Sequence, residues 1–239
     1  MKNYFVVKNL YNYEKVISPP KNLDKSLTTV YITDNDENVN LSKNLGWDMS
    51  FKTELFINEL DTFNRRKNIS YINAFPVKVF PKLSDASFIF VCDSNIVKIW
   101  DEYNVFISLC KPEHCLFVVS GYYKGVRDNI EAECNASMTR RWSYNHNSIK
   151  KATERYKKEL ISKGINISKL SIASAKYIGW NINHPSYNHL SNVYYNESLT
   201  HLQGNIILTY MSGIYSNLIY NYYANDYSTG IVNKHNYSA

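Results

Sequence analysis

Two oxygen-bearing side chains follow directly on the most apolar stretch of the sequence. Residues 87–92 read Ser-Phe-Ile-Phe-Val-Cys, and Asp93, Ser94 and Asn95 come next. This apolar character predicts a strand that is buried on both faces. In an extended chain residues i and i+2 point the same way, so Asp93 and Asn95 could offer two oxygens to a divalent cation. Asp-Ser-Asn is also an ordinary strand-ending turn, and the triplet alone fits both interpretations.

A second carboxylate stands at the predicted end of another strand. Residues 27–32 are rich in Thr, Val and Tyr, and the chain then runs into Asp34. In open α/β sheets, ligands bind beside the carboxyl ends of the strands, so Asp34 is a candidate ligand contact. A simple turn at the end of the strand explains Asp34 equally well.

The elements that must position these residues alternate along the chain. Strands are predicted at 4–7, 27–32, 87–92, 115–119 and 170–180, and helices at 55–72, 100–109, 126–137, 147–164, 187–197 and 203–220. Pro76 and Pro81 are expected to bracket an extended segment, and Gly164 to end the longest helix. The alternation predicts one α/β domain, with a mostly parallel central sheet flanked by helices. The domain is expected over residues 1–220, followed by a polar tail over 221–239.

Composition narrows the function classes. The 239 residues are 44% hydrophobic and 20% charged, which is typical of a globular protein. No run approaches the roughly 20 apolar residues of a membrane span, and the first ten residues do not resemble a signal peptide, so a soluble cytoplasmic protein is expected. The net charge of +6 is scattered, whereas a dedicated nucleic-acid binder usually has a denser basic stripe.

Cysteine spacing argues against a disulfide framework and against structural zinc. Cys92, Cys110, Cys115 and Cys134 form no Cys-x-x-Cys pair, and reduced thiols are expected. His114 beside Cys115 does not complete a familiar tetrahedral zinc spacing.

The order of the motifs resembles a family of GT-A glycosyltransferases, over residues 4–215. The matching features are the turn at Asn9–Glu14, Asp34, Gly46-Trp47, the basic run Arg65-Arg66-Lys67, Pro76, Phe80-Pro81, the strand ending in Asp93-Ser94-Asn95, Arg127 with Glu131-Ala132, the helix before Gly164, His184, Tyr194-Tyr195, Glu197 and His201-Leu202-Gln203. The family, once catalogued as a domain of unknown function, occurs in plants and bacteria and resembles a chlorovirus glycosyltransferase domain. The bias toward Asn, Tyr, Lys and Ile fits an AT-rich genome such as that of a giant virus.

The resemblance implies a GT-A-like, metal-dependent glycosyltransferase. Its donor would be a nucleoside diphosphate sugar, with a UDP-sugar as the first expectation, and its acceptor a hydroxyl of a glycan or of another molecule. It implies Mn²⁺ or Mg²⁺ on Asp93, Asn95 and His184, a base or ribose contact from Asp34, and phosphate contacts from Arg65, Arg66 or Lys67. Glu197 is then the candidate base that deprotonates the acceptor hydroxyl, and Gln203 a residue that orients sugar hydroxyls.

Each role has a structural alternative. The basic run can be a solvated helix end, His184 a surface histidine, Glu197 a helix-surface carboxylate, and Arg127 with Glu131 an i, i+4 pair. The sequence also departs from the family pattern, because Asn95 and Leu202 stand where the family has Asp, and Leu202 cannot act as a base. These departures favour, as an alternative, a GT-A fold that binds nucleotide-sugar or glycan without turnover. A nucleic-acid-associated protein is the second alternative, suggested by the positive charge and the many tyrosines.

Overall fold

The computed structural model describes residues 2–10, 15–20, 23–53, 62–94, 111–120, 127–139, 146–201 and 203–223. In this part of the chain the strands are β1 (Lys2–Asn9), β2 (Leu27–Thr33), β3 (Met49–Lys52), β4 (Ala86–Asp93), β5 (Leu116–Ser120), β6 (Ala173–Asn181) and β7 (Ile219–Tyr223). Its α-helices are α1 (Asp36–Asn44), α2 (Thr62–Ala74), α3 (Pro76–Val79), α4 (Ile130–Met138), α5 (His146–Ser162), α6 (Tyr187–His201) and α7 (Gly204–Ile214). Short 3-10 turns cover Pro81–Leu83 and Ile167–Lys169.

All seven strands belong to one sheet, in the order β3-β2-β1-β4-β6-β5-β7. Four neighbouring pairs are parallel, and β6 runs antiparallel to both of its neighbours, β4 and β5. Helices cover both faces: Ile69 and Ile72 of α2 pack on one face, whereas Leu45, at the end of α1, packs on the other. The predicted α/β domain with a mostly parallel sheet flanked by helices is confirmed.

The strand order reverses between β1 and β4. The chain moves from β1 outward through β2 and β3, and then returns to lay β4 on the opposite side of β1. Both strands are parallel and in direct register, with Val7 opposite Cys92 and Lys8 opposite Asp93. In open α/β sheets such a reversal opens a crevice at the carboxyl ends of the two strands. We call this side of the sheet the carboxyl edge and the side with Asp85 the amino edge.

The centre of the sheet is buried from both sides, as the apolar runs predict. On β4, Phe90 and Cys92 face one core cluster while Ile89 and Val91 face another, and all four are at most 1% exposed. At its carboxyl end the strand leaves this core at Asp93, where exposure rises to intermediate. The buried strand therefore ends by delivering one carboxylate to the carboxyl edge.

Several element predictions need correction. Residues 76–81 are not extended, because Pro76 and Pro81 each begin a short helical turn, which their fixed backbone angle favours. The helix predicted to run to 220 ends at Ile214, and strand β7 follows it. The helix predicted at 100–109 lies outside the described residues.

Two expectations from composition can be compared with the described residues. Cys92, Cys115 and Cys134 are buried free thiols, and Cys110 lies outside the described part. Burial raises the pKa of Cys115 to about 12. Within the described ranges, none of the helices has the length and apolar character needed to cross a membrane.

Candidate functional site

The carboxyl edge between β1 and β4 holds a lysine and an aspartate in contact. Nζ of Lys8 lies 2.6 Å from Oδ1 of Asp93, and the two side chains are 4% and 34% exposed. Apart from this ion pair, the lysine nitrogen is buried and has no hydrogen-bond partner among the described residues. The strand register fixes the pair, because Lys8 and Asp93 are direct cross-strand partners on one face. The ammonium is thus enclosed, whereas the carboxylate is one-third exposed at the carboxyl edge.

The chain beyond Asp93 stays attached to β1. The backbone N–H of Ser94 donates to the carbonyl of Lys8 at 3.1 Å, which extends the ladder by one residue. The Ser94 side chain is fully buried and its hydroxyl has no hydrogen-bond partner in the described part of the chain. Asn95, the second predicted cation ligand, lies outside the described residues.

A buried tyrosine closes the site from the helical side. Tyr194 of α6 is 1% exposed. Burial raises its pKa to about 12, a hydrogen bond with Asn73 opposes the rise, and the charge of Asp93 adds to it. Tyr194 is therefore a neutral hydroxyl near Asp93 at physiological pH.

The start of α7 packs tightly beside the same edge. A Cβ on Gly204 would stand 2.5 Å from Cβ of Ala175 and 3.0 Å from the Tyr194 hydroxyl, so the approach needs glycine. The Asn205 side chain accepts a hydrogen bond from the Ala175 N–H at 2.8 Å. These contacts fix the first turn of α7 against the start of β6, next to the end of β4.

Asn205 also contacts a buried ion pair. Its amide donates to Oε1 of Glu133 at 3.0 Å, and NH1 of Arg127 donates to Oε2 at 2.9 Å. The Glu133 side chain is 0% exposed and that of Arg127 17%. Arg127 thus pairs with Glu133, not with Glu131 as the i, i+4 alternative assumed. Lys157 lies 3.5 Å from Glu131 instead.

The predicted contacts Asp34, Arg65, Arg66 and Lys67 belong to the end of β2 and to the first half of α2. Asp34 directly follows β2 and is half-buried, two strand spacings from β4, which is roughly 10 Å. The basic run occupies the first half of α2, the helix that returns from the carboxyl end of β3 to the start of β4. All three basic side chains are half-buried. Asp34 and Asp93 therefore follow the carboxyl ends of two strands, and the basic run lies in the first half of the helix that precedes α3 and β4.

Glu197 is engaged between two helices. Its Oε2 accepts from NH2 of Arg155 and, at 2.6 Å, from the hydroxyl of Tyr156, both on α5. The side chain is 17% exposed. This contact raises the pKa of Arg155. Both partners lie on α5, so the structure places Glu197 in the packing of α5 against α6.

His201 continues this chain of hydrogen bonds. Its Nδ1 accepts from the Gln203 N–H at 3.2 Å, and its Nε2 lies 3.0 Å from the Tyr156 hydroxyl. Because Tyr156 donates its proton to Glu197, Nε2 must donate to Tyr156, and the ring is neutral. Burial, partly offset by Glu197, lowers the pKa of His201 to about 4. The side chain of Gln203 accepts from Ser137 at 3.2 Å and is only 4% exposed as a residue, which removes it from sugar contact in this conformation.

His184 does not join Asp93. It follows β6, and β6 is antiparallel to β4 with Asn181 opposite Phe88. The N–H of Ile182 donates to the carbonyl of Ser87, near the amino end of β4. Five residues of strand, roughly 16 Å, separate Phe88 from Asp93. The predicted cation set of Asp93, Asn95 and His184 is corrected on this point: His184 lies at the amino edge.

Sequence reasoning missed Lys8, Glu133 and Asn205. A signal for Lys8 existed, because it continues the alternation of Tyr4 and Val6 and so lies on a buried face of β1. A charged residue on such a face needs a partner. Which residue would pair with it could not be read from one strand, because the pairing of β1 with β4 is a property of the sheet order.

The fold matches solved structures, whereas the sequence matches little. No protein-family model and no curated protein matches the chain. The chain is similar in structure to mouse xyloside xylosyltransferase 1 in its apo form, with TM-score 0.53 and 8% identity over 92% of this chain and 85% of that one. It is also similar to apo WbbM, a bifunctional glycosyltransferase, with TM-score 0.51 and 13% identity over 91% of this chain but only 38% of that one. The fold is GT-A-like.

A divalent cation is the cofactor that a GT-A-like fold implies, and the described residues do not fit one. The described ranges contain no group of three or more His, Cys, Asp or Glu side chains placed to hold a metal. Asp93 already has a positive partner at 2.6 Å. Two unit charges about 4 Å apart near a protein surface repel by about 4 kcal/mol, and a divalent cation doubles that figure. A cation on this carboxylate would therefore meet repulsion from an ammonium that cannot move to solvent.

Proposed function

We propose that this protein is a glycosyltransferase that takes its sugar from a nucleoside diphosphate sugar bound at the carboxyl edge. The observation that carries the proposal is the Lys8–Asp93 pair at the reversal of the strand order, on the two strands that border the crevice. The GT-A-like fold supports it, and so do the two similar structures, which are both glycosyltransferases. A glycan or another hydroxyl-bearing molecule is the proposed acceptor, and a UDP-sugar the first donor to test.

The arrangement suggests how a donor would lie. Asp34, roughly 10 Å from β4, would accept a hydrogen bond from the base or the ribose. The basic run at the start of α2 would contact the diphosphate through charge-assisted hydrogen bonds. Asp93, which is one-third exposed, would accept hydrogen bonds from hydroxyls of the donor. Such contacts would orient the donor for reaction with the acceptor hydroxyl.

A panel of nucleotide sugars tests the proposal. Each donor is added at millimolar concentration with Mn²⁺ or with EDTA, and the melting temperature is recorded. A ligand that binds only the native state raises the apparent stability by RT ln(1 + [L]/Kd), so a donor at 100 times Kd adds about 2.7 kcal/mol. Donors that shift the melting temperature are then assayed for release or transfer of the sugar.

The matched variants are Lys8→Met/Asp93→Asn, which removes both charges together, and Lys2→Met, which changes a lysine of the same strand at the amino edge. We expect the double variant to lose the donor-dependent shift and Lys2→Met to keep it. No shift with any donor, with Mn²⁺ or with EDTA, would reject the proposal.

A binding protein without turnover is the second candidate. The engagement of Glu197 by Arg155 and Tyr156 favours it, because the predicted base is already paired. The same panel separates the two functions. A donor that raises the melting temperature while no free or transferred sugar appears over many hours indicates a binder, and catalytic release of the sugar indicates an enzyme.

A further inference from the structure

We propose that Lys8 is the resident cation of the candidate site, so that the protein binds its nucleotide without a divalent metal on Asp93. The inference rests on the proposed function in one respect, the identity of the ligand as a nucleoside diphosphate. Its physical basis is the placement of the lysine, which the strand pairing fixes independently of any ligand.

The first argument is burial. The Lys8 side chain is 4% exposed and its ammonium nitrogen is buried, whereas Asp93 is 34% exposed. A flexible surface lysine could swing aside and release its carboxylate to a metal. Lys8 cannot do so without opening the cluster that contains Tyr4 and Val6 on its own strand face. The positive charge is therefore a permanent part of the site.

The second argument is charge balance. An ion pair with one carboxylate has no net charge, and a divalent cation binds strongly in proteins where several oxygen ligands carry uncompensated negative charge. Beside Asp93 the described residues supply a lysine and the neutral hydroxyl of Tyr194. The ammonium supplies the positive charge that a metal would supply beside Asp93. The ion pair also fixes Asp93 in position as a hydrogen-bond acceptor. Lys8 is a positioning residue, because it acts on the ligand through Asp93.

The third argument is the contrast with a second lysine on β1. Lys2 contacts Asp85, the residue before β4, at 2.7 Å, and both side chains are about half exposed or more, at 64% and 49%. The two pairs join the same segments of chain, yet one is solvated and the other is enclosed. Lys2→Met is therefore a matched control for Lys8→Met, since it removes the same charge from the same strand.

The test measures UDP affinity by calorimetry, once with EDTA and once with about 5 mM Mn²⁺, a concentration well above the dissociation constants of most functional divalent-metal sites. In the wild type and in Lys2→Met we expect the two affinities to agree within about threefold. In Lys8→Met we expect at least tenfold weaker binding in EDTA, with partial recovery in Mn²⁺, because a divalent ion can then neutralise Asp93. A wild-type affinity that falls tenfold or more in EDTA would overturn the inference.

A second measurement does not need a nucleotide. Water-proton relaxation reports Mn²⁺ bound to the protein alone. We expect no site tighter than about 1 mM in the wild type, and the inference fails if a tight site is found that Lys8→Met/Asp93→Asn abolishes. This titration remains informative if Lys8→Met does not fold, because the wild-type protein alone shows whether a tight Mn²⁺ site exists. If UDP binds under neither condition, the proposed function fails while the metal titration still judges the role of Lys8.

Discussion

The two ends of the β1–β4 pairing carry the same two residue types in different surroundings. At the amino edge both Lys2 and Asp85 are exposed, and at the carboxyl edge Lys8 is enclosed while Asp93 is one-third exposed. The distances, 2.7 and 2.6 Å, are almost the same. The difference teaches that contact geometry does not identify a functional ion pair. Burial of one partner, at the point where the strand order reverses, is what sets the Lys8–Asp93 pair apart.

The polar groups around the two edges follow the same division. At the amino edge, Tyr4 donates to Asp85 at 2.6 Å, and this exposed carboxylate has its pKa lowered by Lys2 and Tyr4. Near the carboxyl edge, Glu133 and His201 are buried, and their side chains contact residues distant in sequence: Asn205 for Glu133 and Tyr156 for His201. Loss of one partner there leaves a buried group unsatisfied, which costs much more than loss of a solvated contact.

The largest effect is expected from Asp93→Asn. The substitution leaves the buried ammonium of Lys8 without a counter-charge, and removal of one partner from a buried pair costs about 3 kcal/mol of unfolding free energy. Urea unfolding at pH 7 measures the loss. Lys8→Met/Asp93→Asn should recover most of it, because no buried charge remains. Equal losses in the single and double variants would show that the charge of Lys8 is not the cause.

A smaller effect concerns the loss of stability in acid that the buried His201 causes. Its folded pKa of about 4 lies below the ordinary value of about 6.5, so the unfolded state takes up the proton first. The contribution is complete above about pH 7 and is lost as the pH falls toward 4, by about 2.5 kcal/mol at pH 4.5. Unfolding free energies of the wild type and His201→Gln are compared from pH 8 to 4.5.

The difference between these two proteins should be constant above pH 7 and should shrink below pH 6.5, because the variant has no imidazole to protonate. A difference that stays constant down to pH 4.5 would contradict the assignment of a buried neutral ring. The comparison is made between two proteins at each pH, so the carboxylates that titrate in both cancel.

The close packing at Gly204 predicts an effect of about 1.5 kcal/mol. In Gly204→Ala the new methyl would stand 2.5 Å from Cβ of Ala175, which is part of β6 and cannot rotate away. Ala175→Gly supplies the missing space, so the double variant should be more stable than the sum of the single losses predicts. Strict additivity would show that the two positions do not touch. Donor binding in Gly204→Ala reports whether this turn shapes the carboxyl edge.

The sequence predicted the sheet well where burial dominates. The runs that became β1, β2, β4 and β5 are apolar enough to specify strands on their own. β3 was missed because all four of its residues are half-exposed and carry no apolar pattern. The turns at Pro76 and Pro81 were taken for an extended segment because proline at the first position of a helix and proline in a strand share one backbone angle.

The candidate site was predictable in part. Asp34 and Asp93 could be placed because a residue that follows a buried strand must lie at an edge of the sheet. His184 was placed wrongly for a related reason: the residues of β6 do not reveal that this strand runs antiparallel to β4, and direction decides which edge its end reaches. Glu197 could be placed on a helix, but its partners come from α5, 41 and 42 residues away in sequence.

The smallest effect is expected at the amino edge and closes the comparison. Lys2→Met removes a solvated ion pair, and surface pairs of this kind contribute little to stability, since their attraction is screened and their side chains are mobile. The urea midpoint should match that of the wild type within error at about 0.1 M salt, where the Debye length is about 10 Å, and at about 1 M salt, where it is about 3 Å. Lys8→Met should lower the midpoint at both salt concentrations, because salt does not reach an enclosed ammonium. If the two lysine variants lose the same stability, burial does not distinguish the pairs, and the special position of Lys8 and Asp93 loses its physical basis.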